Sequence, residues 1–243
     1  MQEPLILHAG DSALVVEFGR EIAEDINARV HALDDAVRQK HIIGVTETVP
    51  TFRSLTVFYD PSVLSYERLQ RKLLKLCKGI SVSADTAKKI VEVPVLYGGS
   101  YGEDLQDVAA HAGLTEDEVI KIHTATDYRI FMLGFLPGFV YLGGMDKRIA
   151  CPRLETPRTK IHAGAVGIGG EQTGIYPLAS PGGWRLIGTT PVRPYDNTRT
   201  PPVLFSAGEY IRFVSVTEDE YHEIEQQVQN GTYVCKVTGG AEK

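Results

Sequence analysis

Hydrophobic and polar positions along the chain change period several times, and each change marks an element. Leu14, Val16 and Phe18 alternate with Ala13, Val15 and Glu17, the period of a strand. Ile22, Ile26, Val30, Leu33 and Val37 then recur at steps of three and four, one apolar stripe of a helix. Residues 45–49 read as a strand, Pro50-Thr51-Phe52-Arg53 as a turn, and Leu55, Val57 and Tyr59 as another strand, broken by Asp60-Pro61. Tyr66, Leu69, Leu73 and Leu76 form a second helical stripe, with Gly79 as its stop. The order β-α-β-β-α is that of a ferredoxin-like domain lacking its last strand. Residues 80–83 or 89–96 could supply it, and the polar run Ser83-Ala84-Asp85-Thr86-Ala87-Lys88 reads as a boundary. The expected division is a domain over 1–88 and a second over 89–243.

In the second part, Val91, Val93 and Val95 alternate, and Pro94 predicts an edge strand or a strand end. A helix is expected over residues 103–111, stopped by Gly113. Thr115 with Glu118, and Thr217 with Glu220, are spaced as capping boxes for two further helices. Residues 210–216 read as a strand. Between these, residues 128–195 alternate short apolar runs with Gly- and Pro-rich turns. A linker of that composition would lack large apolar groups. This stretch carries Phe131, Phe135, Phe139, Tyr141, Ile168, Tyr176, Trp184 and Ile187, so a folded β-rich barrel or sandwich is expected.

Composition narrows the function classes. The 243 residues are 43% hydrophobic and 23% charged, a globular profile, and the net charge of -6 argues against a nucleic-acid partner. No apolar run reaches a membrane span, and the first residues lack the pattern of a secretory signal. Cys77, Cys151 and Cys235 are far apart and form no metal motif or disulfide framework, so a cytoplasmic setting is expected. Phosphate-loop, GxGxxG, HExxH, CxxC and GxSxG motifs are all absent.

Three stretches remain as candidates for chemistry. In the first, residues 134–142, glycines and a proline fix a turn that by itself reads first as a β-turn with core aromatics, and otherwise makes Phe135, Pro137, Gly138 and Tyr141 a pocket wall. In the second, residues 167–177, Gly169, Gly170 and Gly174 beside Gln172 and Thr173 offer backbone donors for a carboxylate, phosphate or oxyanion, with Tyr176 alongside. A hairpin that uses glycine for positive φ explains the same residues equally well. In the third, Ser180-Pro181-Gly182-Gly183-Trp184-Arg185, Trp184 is an anchor between Gly182, Gly183 and Arg185. Arg153, Arg158, Lys160, Arg185 and Arg193 lie near these loops and predict a locally positive cleft, unless paired with Glu155, Glu171 and Asp196. His123 lies four residues before Asp127, a spacing for a general-base pair or a turn contact. His162 beside the glycine-rich loop could shuttle protons.

Taken in order, GFLPGFVYL, PRLETPRTKIHAGAVGIGGEQTGIYP and SPGGWRLIGTTP resemble the B-subunit family of bacterial 5-oxoprolinase, also labelled allophanate hydrolase subunit 1. YRIFMLGF and VEVPVLYGG extend the resemblance along the chain. It implies a small N-terminal α/β domain followed by a cyclophilin-like β-barrel. It also implies companion A and C subunits, and ATP-driven opening of 5-oxoproline to L-glutamate. In that chemistry Arg153, Arg158 and Arg185 would hold anionic groups. Gln172, Thr173 and the backbone from 169 to 174 would stabilise oxygen, and Phe135, Tyr141, Tyr176 and Trp184 would enclose the ring. Lacking a phosphate loop, this chain is expected to leave ATP mainly to a partner subunit or an interface, and no metal site is evident. The family also includes an inhibitor of a sporulation histidine kinase, so a regulatory binding protein is the competing class. Many relatives read Arg-Val-Pro-Ala-Gly where this chain has Lys160-Ile161-His162-Ala163-Gly164, and Glu171 stands where a small residue is usual.

Overall fold

The computed structural model describes residues 3–80 and 88–239. The chain divides into two compact units, Met1–Asp85 and Thr86–Lys243. In the first, strands β1 (Leu5–His8) and β2 (Ala13–Glu17) precede helix α1 (Glu24–Lys40). Strands β3 (Val45–Pro50) and β4 (Ser54–Tyr59) and helix α2 (Tyr66–Gly79) follow. The sheet order is β1-β2-β4-β3. Alternation puts Leu14, Val16, Leu55 and Val57 on one face, where they pack with Val30, Leu33 and Val37 of α1 and Leu69 and Leu73 of α2. Asn27, fully buried, ties α1 to the turn between β3 and β4 by donating to the carbonyls of Thr51 and Phe52. The helix starts later than the stripe predicts, because Ile22 stays 58% exposed ahead of it.

The missing sheet position is filled from the wrong end of the chain for a ferredoxin-like order. Strand β1 pairs antiparallel with β2, from Leu5 opposite Glu17 to His8 opposite Leu14, in the place expected for a strand after α2. Of the two segments considered for it, residues 81–83 lie outside the described residues, as does most of the boundary run 83–88. The other, 89–96, belongs to the second unit. Four residues are too few for alternation to identify β1.

The second unit opens with β5 (Ile90–Tyr97), α3 (Leu105–Ala112) and α4 (Glu116–Thr124). Strands β6 (Asp127–Leu133), β7 (Val140–Gly143), β8 (Arg158–Ile161), β9 (Ala165–Gly169) and β10 (Gln172–Ile175) follow. Then come β11 (Ser180–Gly182), β12 (Arg185–Thr189), β13 (Tyr210–Ser215), α5 (Glu218–Gln229) and β14 (Val237–Thr238). Seven strands run β12-β9-β10-β7-β6-β13-β5, and pairing of β12 with β5 closes them into a barrel. Strand β14 adds to β5, while β8 and β11 form a separate ribbon. Both capping boxes are present, at Thr115 with Glu118 and at Thr217 with Glu220.

Closure needs a residue without a side chain. A Cβ on Gly188 would lie 2.6 Å from Val95 Cγ1 and 2.9 Å from the carbonyl of Leu96. Pro94 is not on a free edge, since β13 pairs with β5 from Ile90 to Val95. Alternate N–H groups of a strand face the same neighbour. Glu92 N–H donates to Lys236 beside β14, and β12 takes over at Leu96, so Pro94 falls in the gap between them. There its missing donor costs no ladder bond.

Candidate functional site

The glycine-rich stretch is a hairpin. Strands β9 and β10 pair with Gln172 opposite Gly169 and Ile175 opposite Val166, turning through Gly170 at φ +67° and Glu171. The backbone of Gly169 and of Gln172, Thr173 and Gly174 is therefore engaged in a ladder, the hairpin rather than the open donor loop of the two readings. Its glycines serve space instead. A Cβ on Gly169 would sit 2.5 Å from Trp184 Nε1, one on Gly174 would sit 3.1 Å from Trp184 Cζ3, and one on Gly167 would sit 3.3 Å from Trp184 Cβ. The indole lies along this bare track and is only 5% exposed.

Around it the candidate aromatics do converge. Phe139 meets Trp184 at 5.6 Å, Tyr176 at 5.5 Å and Tyr141 at 5.0 Å, all edge-on, the favoured geometry for ring pairs. The Tyr176 hydroxyl lies where a Cβ on Gly182 would fall, and it accepts the backbone N–H of Trp184. Burial raises its pKa, while that hydrogen bond, Arg153 and Arg158 pull the other way. Phe135 stands on Phe139 at 5.5 Å but remains 63% exposed, with Pro137 also exposed beside it. Its φ is +67°, a left-handed conformation that is a genuine outlier for a bulky side chain. Gly138, at φ +80°, completes the turn, where a Cβ would press on Tyr195.

The arginines are not a uniformly positive cleft. Arg158 Nη2 lies 2.8 Å from Asp104 and its Nε 3.1 Å from Glu103, and it also donates to the Trp184 carbonyl. Arg185 pairs with Asp107 at 2.8 Å and Arg193 with Asp196 at 3.8 Å, while Glu171 pairs with Lys147. The start of α3 thus supplies the main counter-charges, and of the alternative partners Glu155, Glu171 and Asp196 only Asp196 pairs with one of these arginines among the described residues. Arg153 is exposed, its guanidinium lies 5.8 Å from the centre of the Trp184 ring, and among the described residues it has no ion pair. Gln172 is half-buried at the head of β10.

Asp104 carries no sequence signal that would mark it as part of the site. Only 5% exposed, it bonds Arg158 through one oxygen and accepts the Leu186 N–H at 2.6 Å through the other. It thereby joins α3, β8 and β12. Asp104→Ala would strand a half-buried guanidinium and a buried amide. We expect it to cost about 3 kcal/mol, read as a fall in melting temperature of roughly 6–12 °C. An unchanged melting temperature would show that the network carries no stability.

His123 makes no pair with Asp127, which binds Arg212 at 2.6 Å. It lies wholly inside the barrel, stacked on Phe213 at 4.6 Å. Thr173, also fully buried, donates to the Gly167 carbonyl, so its oxygen must accept from His123 Nε2 at 2.9 Å. Nδ1 is then the acceptor for the Tyr97 hydroxyl at 2.8 Å. Burial lowers the His123 pKa to about 3, so the ring is neutral near pH 7. The structure brings His123 and Thr173 together, but inside the core, where neither meets a solvent-borne substrate. His162 is exposed and holds Thr189 Oγ1 at 2.9 Å; Thr189 in turn donates to the Tyr101 carbonyl. Among the described residues no His, Cys, Asp and Glu side chains group as metal ligands, and no helix is long and apolar enough to cross a membrane.

The barrel thus bears a buried aromatic cluster edged by arginines. Residues 4–205 match the family described as carboxyltransferase domain, subdomain C and D. The chain is 44% identical over 228 residues to the 5-oxoprolinase B subunit of Bacillus subtilis, covering 90% of this chain and 95% of that protein. It is 38% identical over 219 residues to the 5-oxoprolinase B subunit of Escherichia coli O157:H7, covering 90% and 99%. The fold is shared with the solved K. lactis urea amidolyase, at a TM-score of 0.81 and 22% identity over 98% of this chain and 16% of that one. The chain belongs to the 5-oxoprolinase B-subunit family.

Proposed function

We propose that this chain is one subunit of an ATP-dependent 5-oxoprolinase, acting with companion A and C subunits. The observation that carries the reading is the outer end of the aromatic cluster, exposed Phe135 and half-buried Tyr141 standing on the buried Phe139, Tyr176 and Trp184, with Arg153, which has no ion pair among the described residues, beside the indole. A small cyclic amide bearing a carboxylate needs an apolar wall for its ring and a cation for its charge. Arg153 fits that cation better than Arg158 or Arg185, which acidic partners already hold.

A lactam carbonyl is a poor electrophile. In the proposed reaction its oxygen attacks the γ-phosphorus of ATP and ADP leaves. One water adds to the activated carbon, the C–N bond breaks, and the proton from water ends on the freed amine. A second water then releases phosphate from the acyl phosphate, leaving glutamate. ATP is assigned mainly to a companion subunit, because this chain has no phosphate loop. The strained, exposed Phe135 is assigned to water exclusion at the face that a companion closes.

The test is 5-oxoproline-dependent ATP hydrolysis by the co-expressed subunits, with and without this chain. Full turnover in its absence would overturn the reading. Arg153→Ala should raise KM about tenfold or more, the loss of one charge-assisted contact of roughly 1.5–3 kcal/mol, with a smaller change in kcat. Phe135→Ala should lower turnover of the complex while leaving the melting temperature of the isolated chain at or above that of the wild type. An unchanged KM in the first variant would remove Arg153 from the site.

A further inference from the structure

The N-terminal unit carries a concave surface that the proposed chemistry does not use. A cleft of about 680 Å³ opens between the last turn of α1, residues 41–43 and the second half of α2. Its floor is apolar, made by Ala36, Ile42, Leu76 and Ile80, and Ile43 projects beside it 82% exposed. Its rim is cationic, with Lys40, Lys72 and Lys75, and among the described residues no carboxylate lines it. None of these lysines forms an ion pair among the described residues, whereas Arg158, Arg185 and Arg193 of the barrel unit do. Helix α2 holds five cations, Arg68, Arg71, Lys72, Lys75 and Lys78, against the single Glu67, in a chain whose net charge is -6. Solvated lysines alone would not need an apolar floor or an isoleucine held in water.

The positions on α2 that line the cleft are Lys72, Lys75, Leu76 and Gly79, steps of three, four and seven. They make one straight stripe about 10 Å long, two turns of helix. A shallow groove with an apolar floor and basic edges is complementary to a helix with an apolar stripe flanked by Asp or Glu. We infer that this groove docks an acidic amphipathic helix of a companion subunit. The inference rests on reading the chain as one subunit of a complex, and it assigns a surface for assembly apart from the aromatic face.

The test uses full-length chain co-purified with the companion subunits. Lys72→Glu with Lys75→Glu, and separately Ile43→Ser, alter exposed side chains, so the melting temperature of the isolated chain should hold. Assembly, measured by sedimentation across a concentration series, should weaken at least tenfold in each variant. In the wild type it should weaken as salt rises, because the paired charges are exposed. Zero-length carbodiimide cross-linking should join Lys72 or Lys75 to an Asp or Glu within a helix of a companion subunit. Undiminished assembly in both variants would overturn the inference. So would cross-links confined to carboxylates of this chain or of a second copy of it. The enzymatic reading is judged separately, by turnover of the wild-type mixture. Turnover with variants that still assemble removes the groove alone. Salt-sensitive assembly lost in the variants, with no turnover in the wild type, keeps the groove and removes the enzyme.

Discussion

Replacing Gly169 with valine should unseat Trp184 and cost the barrel unit about 2–3 kcal/mol, the usual penalty of forcing extra carbon into a packed site. The reason is geometric. The first added carbon would lie 2.5 Å from indole Nε1, 2.6 Å from Cδ1 and 2.7 Å from Cε2, so contact falls on the body of the ring. The indole cannot slide aside, because Gly174 and Gly167 mark its other contacts with the same hairpin and Phe139 and Tyr176 close it in. The chain has a single tryptophan, so its fluorescence reports this seat alone. Emission should shift to the red, and the melting temperature should fall by roughly 4–12 °C. If emission and melting temperature both match the wild type, the hairpin can move away from the ring and the glycine track has another cause.

Mild acid should destabilise the barrel through His123. Its pKa is about 3 in the folded protein, lowered by burial from an ordinary value of 6.5. The unfolded chain therefore takes up a proton that the folded chain refuses between these two values. The contribution is fully present above pH 6.5 and is lost as pH falls toward 3. The loss is on the order of 1.4 kcal/mol for each pH unit below 6.5. Urea unfolding at pH 7.5, 6.0 and 5.0 checks it. The wild type should lose stability more steeply than His123→Gln, which carries no titrating group there. The variant itself should be weaker at pH 7.5, because Tyr97 and Thr173 lose a fitted partner. Parallel curves for the two proteins would show that His123 is not the group responsible.

Local features of the sequence translated well where the physics is local. Both capping boxes join residues three apart, and the stripes of α1 and α2 follow from a period that a short window contains. Strand β1 escaped because four residues hold too little alternation, and because its place in the sheet is expected of a strand from the far side of α2. The aromatic members of the candidate site could be picked out because large rings in a Gly- and Pro-rich stretch have to pack against something. Their neighbours could not. Arg158 and Asp104 are 54 residues apart, and His123 and Thr173 are 50 apart.

The amino-acid order alone sufficed to show that residues 128–195 fold and that helices follow both Thr-x-x-Glu boxes. These depend on composition, on short periods and on spacing within one turn. Whether a glycine serves as a donor or as empty space was decided only in three dimensions. So was whether an arginine is free or held, and whether a histidine faces water or the core. The glycine hairpin proved to be the bed of Trp184, Arg153 stands without an ion pair among the described residues, and His123 is part of the barrel interior. Each outcome turns on a partner brought from elsewhere in the chain by barrel closure, which joins β12 to β5 across about 90 residues of sequence, far beyond the reach of any local period.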